Sequence, residues 1–324
     1  MKICARIPSF ISDNRTCGSL PESGGNFGNI VFWKAADTFI KKYDKSYINL
    51  LHGINPTCGL YIDIQANLIS ELTKTNITNL SEQVENINSE KNILLSIGAQ
   101  NEDLNTFAIF SNTLKENLEK YFSNFDRINL RGHYTQELLI KNNIEFDFDV
   151  KGCPSSLLLK NIHIKNPEIQ NSKDTRICLN MPSKNSKQPQ EIYHLFKHLE
   201  NRKDIITLQQ TSRTSKKLNS FDKFKSQLQN VDLVIGTRIH GSILSLHAGT
   251  PCVCIAIDSR TLELCMMHGI PYIDYTEEKN KNKVISAYTK EKIISLANDN
   301  INTDFEQARK SGQNMEKYLN SIIK

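Results

Sequence analysis

No stretch of the sequence approaches the ~18 consecutive apolar residues of a membrane span. The first residues, MKICARIPSF, have neither a long apolar core nor a small-residue cleavage site, so no secretory leader is expected. Cysteines never form a C-x-x-C pair. Cys4, Cys17, Cys58, Cys153, Cys178, Cys252, Cys254 and Cys265 are scattered, and no spacing suits zinc. Several lie inside apolar runs, which reads as buried free thiols in a reducing cytoplasm, with no metal. A basic stripe with interleaved aromatics is also missing, so no nucleic-acid partner is expected. No glycine-rich stretch continues into G-K-[ST] or keeps the dinucleotide spacing.

What remains is a globular balance, 39% hydrophobic and 23% charged, over 324 residues. That length suits two domains of ordinary size. The net charge of +5 suits an anionic substrate or an anionic membrane surface.

Short β-rich runs alternate with longer helical stretches in two blocks. KICARI, YINLLHG, KNILLSIG, FDRINLRG and EFDFDV punctuate the first, and TRICLN, DIITLQQ, VDLVIG, PCVCIAI and PYIDY the second. Strands separated by helices predict an α/β chain of two Rossmann-like parallel sheets facing a cleft. The expected domains are 1–165 and 172–324, joined by the polar stretch Lys160 to Asp174. The insert MPSKNSKQPQ, 181–190, reads either as a loop over the cleft or as plain surface. The tail DFEQARKSGQNMEKYLNSIIK is an amphipathic helix that closes the chain against one domain.

Ligands of open α/β sheets sit at the carboxyl ends of the strands, which singles out the strand-to-helix junctions. In SGGNFGN, Gly24, Gly25 and Gly28 flank Asn26 and Asn29 ahead of a helix. That is an anion-friendly entry or an ordinary capped loop. SIGAQN follows another strand. In INLRGHYTQELL, Arg131 either holds an oxyanion or pairs locally at the surface. GCPSS offers the Ser155 and Ser156 hydroxyls and a thiol, Cys153, that is either a nucleophile or simply buried. Asp258 and Arg260 read as a surface pair or a second anion holder. In VDLVIGTRIHGSILSLHAG, Gly236 ends a strand and Thr237 can cap or bind an anion. Arg238 and His240 point the same way if 237–240 is extended, and diverge if a helix starts at Thr237. His247 reads as a packing residue.

An arginine supplies fixed charge and parallel donors, and a histidine moves a proton near neutral pH. At a helix N-terminus the two suit a phosphate-bearing acid whose reaction needs protonation.

GTRIHG, with DLVIG before it and LELCMMHGIPYID after it, resembles the polysaccharide pyruvyl transferase family. GGNFGN, NLRGHYTQELL and GCPS are similar to further segments of that family. Gly132 stands where the family often has an acidic residue, and SIGAQN stands in place of its G-Q-G-like loop. The resemblance implies a GT-B-like pair of domains and a ketal pyruvyltransferase with phosphoenolpyruvate as donor, needing no cofactor. The acceptor would be a sugar with two free hydroxyls, or a lipid-linked oligosaccharide, in a capsule, exopolysaccharide or wall-polymer precursor.

On that resemblance Arg238 grips the donor's phosphate or carboxylate, and His240 is the general acid. Arg131 and Arg260 are further anion contacts, with Thr237, Gly236, Gly25 and Ser155 lining the site. Asn26 and Asn29 lie on the acceptor side, so that the first domain takes the acceptor and the second the donor. A cytoplasmic protein is implied, drawn to the inner face of the membrane if the acceptor is lipid-linked. The alternative is a GT-B glycosyltransferase using a nucleotide sugar. A non-catalytic relative would be expected to lose the Arg or the His, and both are here.

Overall fold

The computed structural model describes residues 1–13, 15–17, 26–49, 57–101, 104–181, 190–199, 202–209, 218–287, 289–301 and 303–323. Gly24, Gly25 and nearly all of the 181–190 insert lie outside the described residues.

The first block holds strands β1 (Ile3–Ala5), β2 (Ile48–Asn49), β3 (Thr57–Cys58), β4 (Leu60–Ile64), β5 (Asn67–Ile69), β6 (Asn88–Ser89), β7 (Asn92–Ala99), β8 (Arg127–Leu130) and β9 (Phe148–Val150). Helices α1 (Ser9–Ser12), α2 (Asn29–Ile40), α3 (Lys74–Glu85), α4 (Asn112–Phe122) and α5 (His133–Lys141) join them. The main sheet runs β2-β1-β4-β7-β8-β9, with β5 beside β7, and every pair is parallel.

Alternation along these strands decides which side each residue covers. Ile3 and Ala5, Leu60, Ile62 and Ile64, and Ile93 and Leu95 pack into one core with α2. Cys4, Tyr61 and Leu94, each one residue out of step, pack into a second core with α3 and α4.

The second block holds β10 (Ile177–Met181), β11 (Ile205–Gln209), β12 (Leu233–Gly236), β13 (Cys252–Ala256) and β14 (Tyr272–Asp274), ordered β11-β10-β12-β13-β14 and again all parallel. Its helices are α6 (Gln190–Lys197), α7 (Phe221–Gln229), α8 (Ile239–Ala248), α9 (Ser259–His268), α10 (Glu278–Ser286) and α11 (Lys290–Asn298). The near-continuous apolar runs of β12 and β13 are buried along their whole length, as strands covered on both faces must be. The architecture is two parallel-sheet, Rossmann-like domains, as the strand and helix alternation predicts.

Two connections tie the blocks together. The polar stretch from Lys160 to Asp174 is pinned: Ile162 and Ile169 are buried, and the Asn298 side chain bonds the N–H and the carbonyl of Ile169 at 3.0 Å each. The last helix, α12 (Glu306–Ile323), closes the chain by packing on the short helix Pro154–Leu159. Glu316 on α12 meets Lys160 at 2.9 Å and Lys42 at 2.8 Å, and the Tyr318 hydroxyl donates to Asp149 at 3.0 Å. The chain's end therefore grips the first sheet's side of the molecule. One apolar core runs from β1 and α2 through to the second sheet.

Candidate functional site

The second sheet's contribution begins where β12 stops. A Cβ at Gly236 would lie 2.0 Å from the Asn180 carbonyl oxygen, so only glycine lets β12 run this close to β10. The Thr237 N–H donates to that oxygen at 3.2 Å, and Asn180 Nδ2 donates to the Arg238 carbonyl at 2.8 Å. These bonds hold Arg238 extended, with φ −108° and ψ 99°, as the cap of α8. Helix starts at Ile239 and places His240 in its first turn. The entry is therefore a hybrid of the two conformations the sequence leaves open, extended through Arg238 and helical from Ile239.

His240 is only 7% exposed. Its ring centroid lies 5.3 Å from that of Phe32 on α2, and Nε2 lies 3.7 Å from the Cys153 sulfur. Burial, and then the neighbouring Arg131, Arg260, His268 and Arg238, hold its pKa well below 6.5. The imidazole is neutral at neutral pH.

Three arginines surround it electrostatically. Arg131, just past β8, is 1% exposed and the largest fully buried side chain, which removes the surface-arginine alternative. Its Nη1 donates to Asn67 Oδ1 at 2.5 Å. Burial, opposed in part by the Glu263 and Asp258 charges, lowers its pKa. Arg238 is lowered to about 10 by burial and the Arg260 charge. Arg260 pairs with Asp258 at 3.3 Å, and this too is a largely buried pair rather than a surface one. Nε and Nη2 of Arg131, Nε of Arg238 and Nε of Arg260 are all buried without a hydrogen-bond acceptor among the described residues. Each such donor costs on the order of 1–3 kcal/mol.

The carboxyl ends of the two sheets meet directly. Gln100, after β7, donates to Asp258 at 3.0 Å, and the Asn101 and Ser259 pair is bonded twice, at 2.9 and 3.0 Å. Asp258 also caps α9 through the Thr261 N–H and hydroxyl, at 2.8 and 2.7 Å. Burial pushes its carboxyl up, but Arg260 and these bonds outweigh burial and hold it below the usual carboxylate range. Past β8, Thr135 donates its N–H and its hydroxyl to Glu263 at 3.2 and 3.0 Å. Past β9, the Cys153 N–H donates to His268 Nε2 at 3.0 Å, which leaves the proton on Nδ1, facing the Ser311 hydroxyl at 2.7 Å.

The remaining candidates divide. Asn29 opens α2, one turn before the Phe32 that packs on His240. Asn26 spends its side-chain oxygen Oδ1 on a local turn, accepting the Gly28 N–H at 2.8 Å. The Ser155 hydroxyl is fully buried and lacks a partner among the described residues. His247 bonds the Leu158 carbonyl at 3.0 Å and packs, half-buried, beside Phe221. Sequence reading reaches Gln100 and Asn101 only as the end of the SIGAQN segment, and Glu263 and His268 escape it. The only signal for Glu263 is one acid inside the apolar run LELCMM.

Among the described residues no group of three or more His, Cys, Asp and Glu side chains could hold a metal ion. Within them, no helix is long and apolar enough to cross a membrane.

A family model described as "Polysaccharide pyruvyl transferase" matches residues 26–259, well over half of the chain. No curated protein matches. Among solved structures, an uncharacterized protein of Klebsiella pneumoniae subsp. pneumoniae NTUH-K2044 is 12% identical with a TM-score of 0.50, over 84% of this chain and 92% of that one. At that identity the likeness shows a shared fold. Two UDP-GlcNAc 2-epimerases lie lower. That of Methanocaldococcus jannaschii is 11% identical with a TM-score of 0.44, over 90% of this chain and 82% of that one. That of Neisseria meningitidis is 10% identical with a TM-score of 0.43, over 100% and 99%.

Proposed function

The chain belongs to the polysaccharide pyruvyl transferase family, and on that premise we propose that it moves pyruvate from phosphoenolpyruvate onto two hydroxyls of one sugar, releasing phosphate. The observation that carries this reading is the set of buried guanidinium nitrogens on Arg131, Arg238 and Arg260 that find no acceptor among the described residues, around a neutral His240. Donors left without acceptors in a dry site are costly unless a ligand supplies the acceptors. A small dianion or trianion does so, and phosphoenolpyruvate carries a carboxylate and a phosphate on three carbons.

In this mechanism the arginines bind first. The anion's charge offsets the field that depresses His240, so the imidazole takes up a proton. His240 then delivers that proton to the methylene carbon, and positive charge develops at the carbon bearing the phosphate. One sugar hydroxyl attacks that carbon, the carbon–oxygen bond to phosphate breaks, and the second hydroxyl closes the ketal. Of the two hydroxyl protons, one replaces the proton given to the methyl carbon and the other leaves with phosphate. Guanidinium charge helps most where charge grows on the departing phosphate. The donor then touches both blocks, since Arg131 comes from the first and Arg238 and Arg260 from the second. The acceptor enters from the α2 side, past Asn29. A lipid-linked acceptor would bring the protein to the cytoplasmic face of a membrane.

The test is direct. The protein is incubated with phosphoenolpyruvate and a panel of saccharides bearing neighbouring hydroxyls, free and diphosphate-linked. Inorganic phosphate and a saccharide carrying one added pyruvyl group are the expected products. Consumption of a nucleotide sugar, with phosphoenolpyruvate untouched across the panel, would instead identify a glycosyltransferase.

A further inference from the structure

Helix α5 follows Arg131 after one residue, and its own cap, Gly132, has no side chain to offer. The missing cap comes from the other sheet. Glu263 on α9 accepts the N–H of Thr135, the third residue of α5, through Oε2 at 3.2 Å, and the Thr135 hydroxyl through Oε1 at 3.0 Å. That N–H is the one an N-cap side chain normally takes. The hydroxyl is itself oriented, because it accepts the Ala99 N–H at 3.2 Å and so turns its proton to Glu263. The fit leaves no room to spare: a Cβ at Gly132 would lie 2.3 Å from Oε2.

We propose that Glu263 is a positioning residue of the donor site, whose carboxylate caps α5 from across the domain boundary, fixes the turn that carries Arg131, and shares that arginine's charge with the incoming anion. This rests on the donor reading above.

The surroundings make the sharing sensitive to protons. Glu263 is 5% exposed. Burial raises its pKa to about 7, against the pull of the Thr135 bonds and of Arg131, while Asp258 raises it further. The charged and titratable groups bearing on this corner are Arg131 past β8 and Asp258 and Arg260 at the start of α9, and Cys153, past β9, lies near Arg131. An anion taken up by Arg131 weakens that arginine's hold on the Glu263 carboxylate and favours its protonated form. Donor binding and proton uptake at Glu263 are therefore linked, and donor affinity falls as pH rises through 7.

The experiment compares wild type with Glu263→Gln, which keeps a carbonyl oxygen for the cap and cannot ionise. Dissociation constants for phosphoenolpyruvate and, separately, for inorganic phosphate are measured by calorimetry at pH 6 and pH 8 (roughly one unit either side of the group). His240 is present in both proteins, so its contribution cancels in the comparison. Wild type should lose at least about threefold more anion affinity than E263Q between the two pH values. Equal pH dependence in the two proteins overturns the proposal. Phosphate separates this result from the identity of the donor: a differential seen with phosphate, while phosphoenolpyruvate fails to bind, upholds Glu263 and removes the donor. Gly132→Ala is the second variant, because it keeps the carboxylate and displaces it. It should weaken anion binding at both pH values, and unchanged affinity there overturns the proposal as well.

Discussion

The Cys153 sulfur lies 3.7 Å from His240 Nε2, while the N–H of the same residue donates to His268 Nε2 at 3.0 Å. One residue of the first block therefore sets the spacing of two imidazoles from the second. The thiol is fully buried, and ketal formation from an enol phosphate uses no enzyme nucleophile. Cys153→Ala should keep its turnover within about tenfold, since it loses a contact and not a reactant. Turnover falling by about three decades in a folded variant, judged by an unchanged circular dichroism spectrum, would place the sulfur in the chemistry.

His240 starts neutral, because burial and the charges of Arg131, Arg260 and Arg238 hold its pKa well below 6.5. An anion that neutralises those neighbours must raise it. Binding therefore takes up protons, and the heat of binding should vary with the ionisation enthalpy of the buffer, in the sense of uptake at pH 7. His240→Gln should retain donor binding, take up fewer protons and lose about two or more decades of turnover, the usual share of a general acid. A variant that turns over at the wild-type rate would remove His240 from the mechanism.

The Arg131 nitrogens that find no acceptor among the described residues cost stability, which a bound anion would offset. Arg131→Met replaces a buried cation by an apolar chain of similar length, and Glu263 can then sit protonated beside it. In the absence of ligand this variant should melt at or above the wild-type temperature. Saturating phosphate should raise the wild-type melting temperature and leave that of R131M unmoved. A ligand-induced shift of wild-type size in R131M would exclude Arg131 from the anion site. Arg238→Lys should also weaken donor binding, since an ammonium cannot reproduce the fork of the guanidinium.

Sequence carried the sheets because strand chemistry is local. VDLVIG and PCVCIAI read as doubly covered parallel strands, and they are. It carried Arg238 and His240 because both belong to one short motif at one strand end. Glu263 stayed hidden because its role is defined across 128 residues of chain, against the backbone of a helix in the other domain. The depth of Arg131 was hidden for the same reason: an arginine after a strand reads alike whether or not a second sheet closes over it. Nothing in the sequence singles out His268, and only its bonds to Cys153 and Ser311 reveal a buried neutral ring.

That ring gives the protein an acid limit of its own. Burial, and then the charge of Arg131, lower the His268 pKa to about 3, against about 6.5 in an unfolded chain. A group whose folded pKa is depressed contributes stability that is fully present above the unfolded value. The contribution is lost as pH falls toward the folded value, because the unfolded chain binds the proton first. Stability should therefore decline from about pH 6.5 downward, before most carboxylates titrate, by on the order of a few kcal/mol. His268→Gln cannot take the proton. It should melt lower than wild type at pH 7.5 (roughly the plateau of the neutral ring), having lost well-fitted bonds to Cys153 and Ser311. Its melting temperature should then fall less steeply than that of wild type between pH 6.5 and pH 4.5, a window set by the unfolded histidine at about 6.5 and the onset of carboxylate titration at about 4.3. Parallel curves for the two proteins would show that His268 is already charged in the folded state.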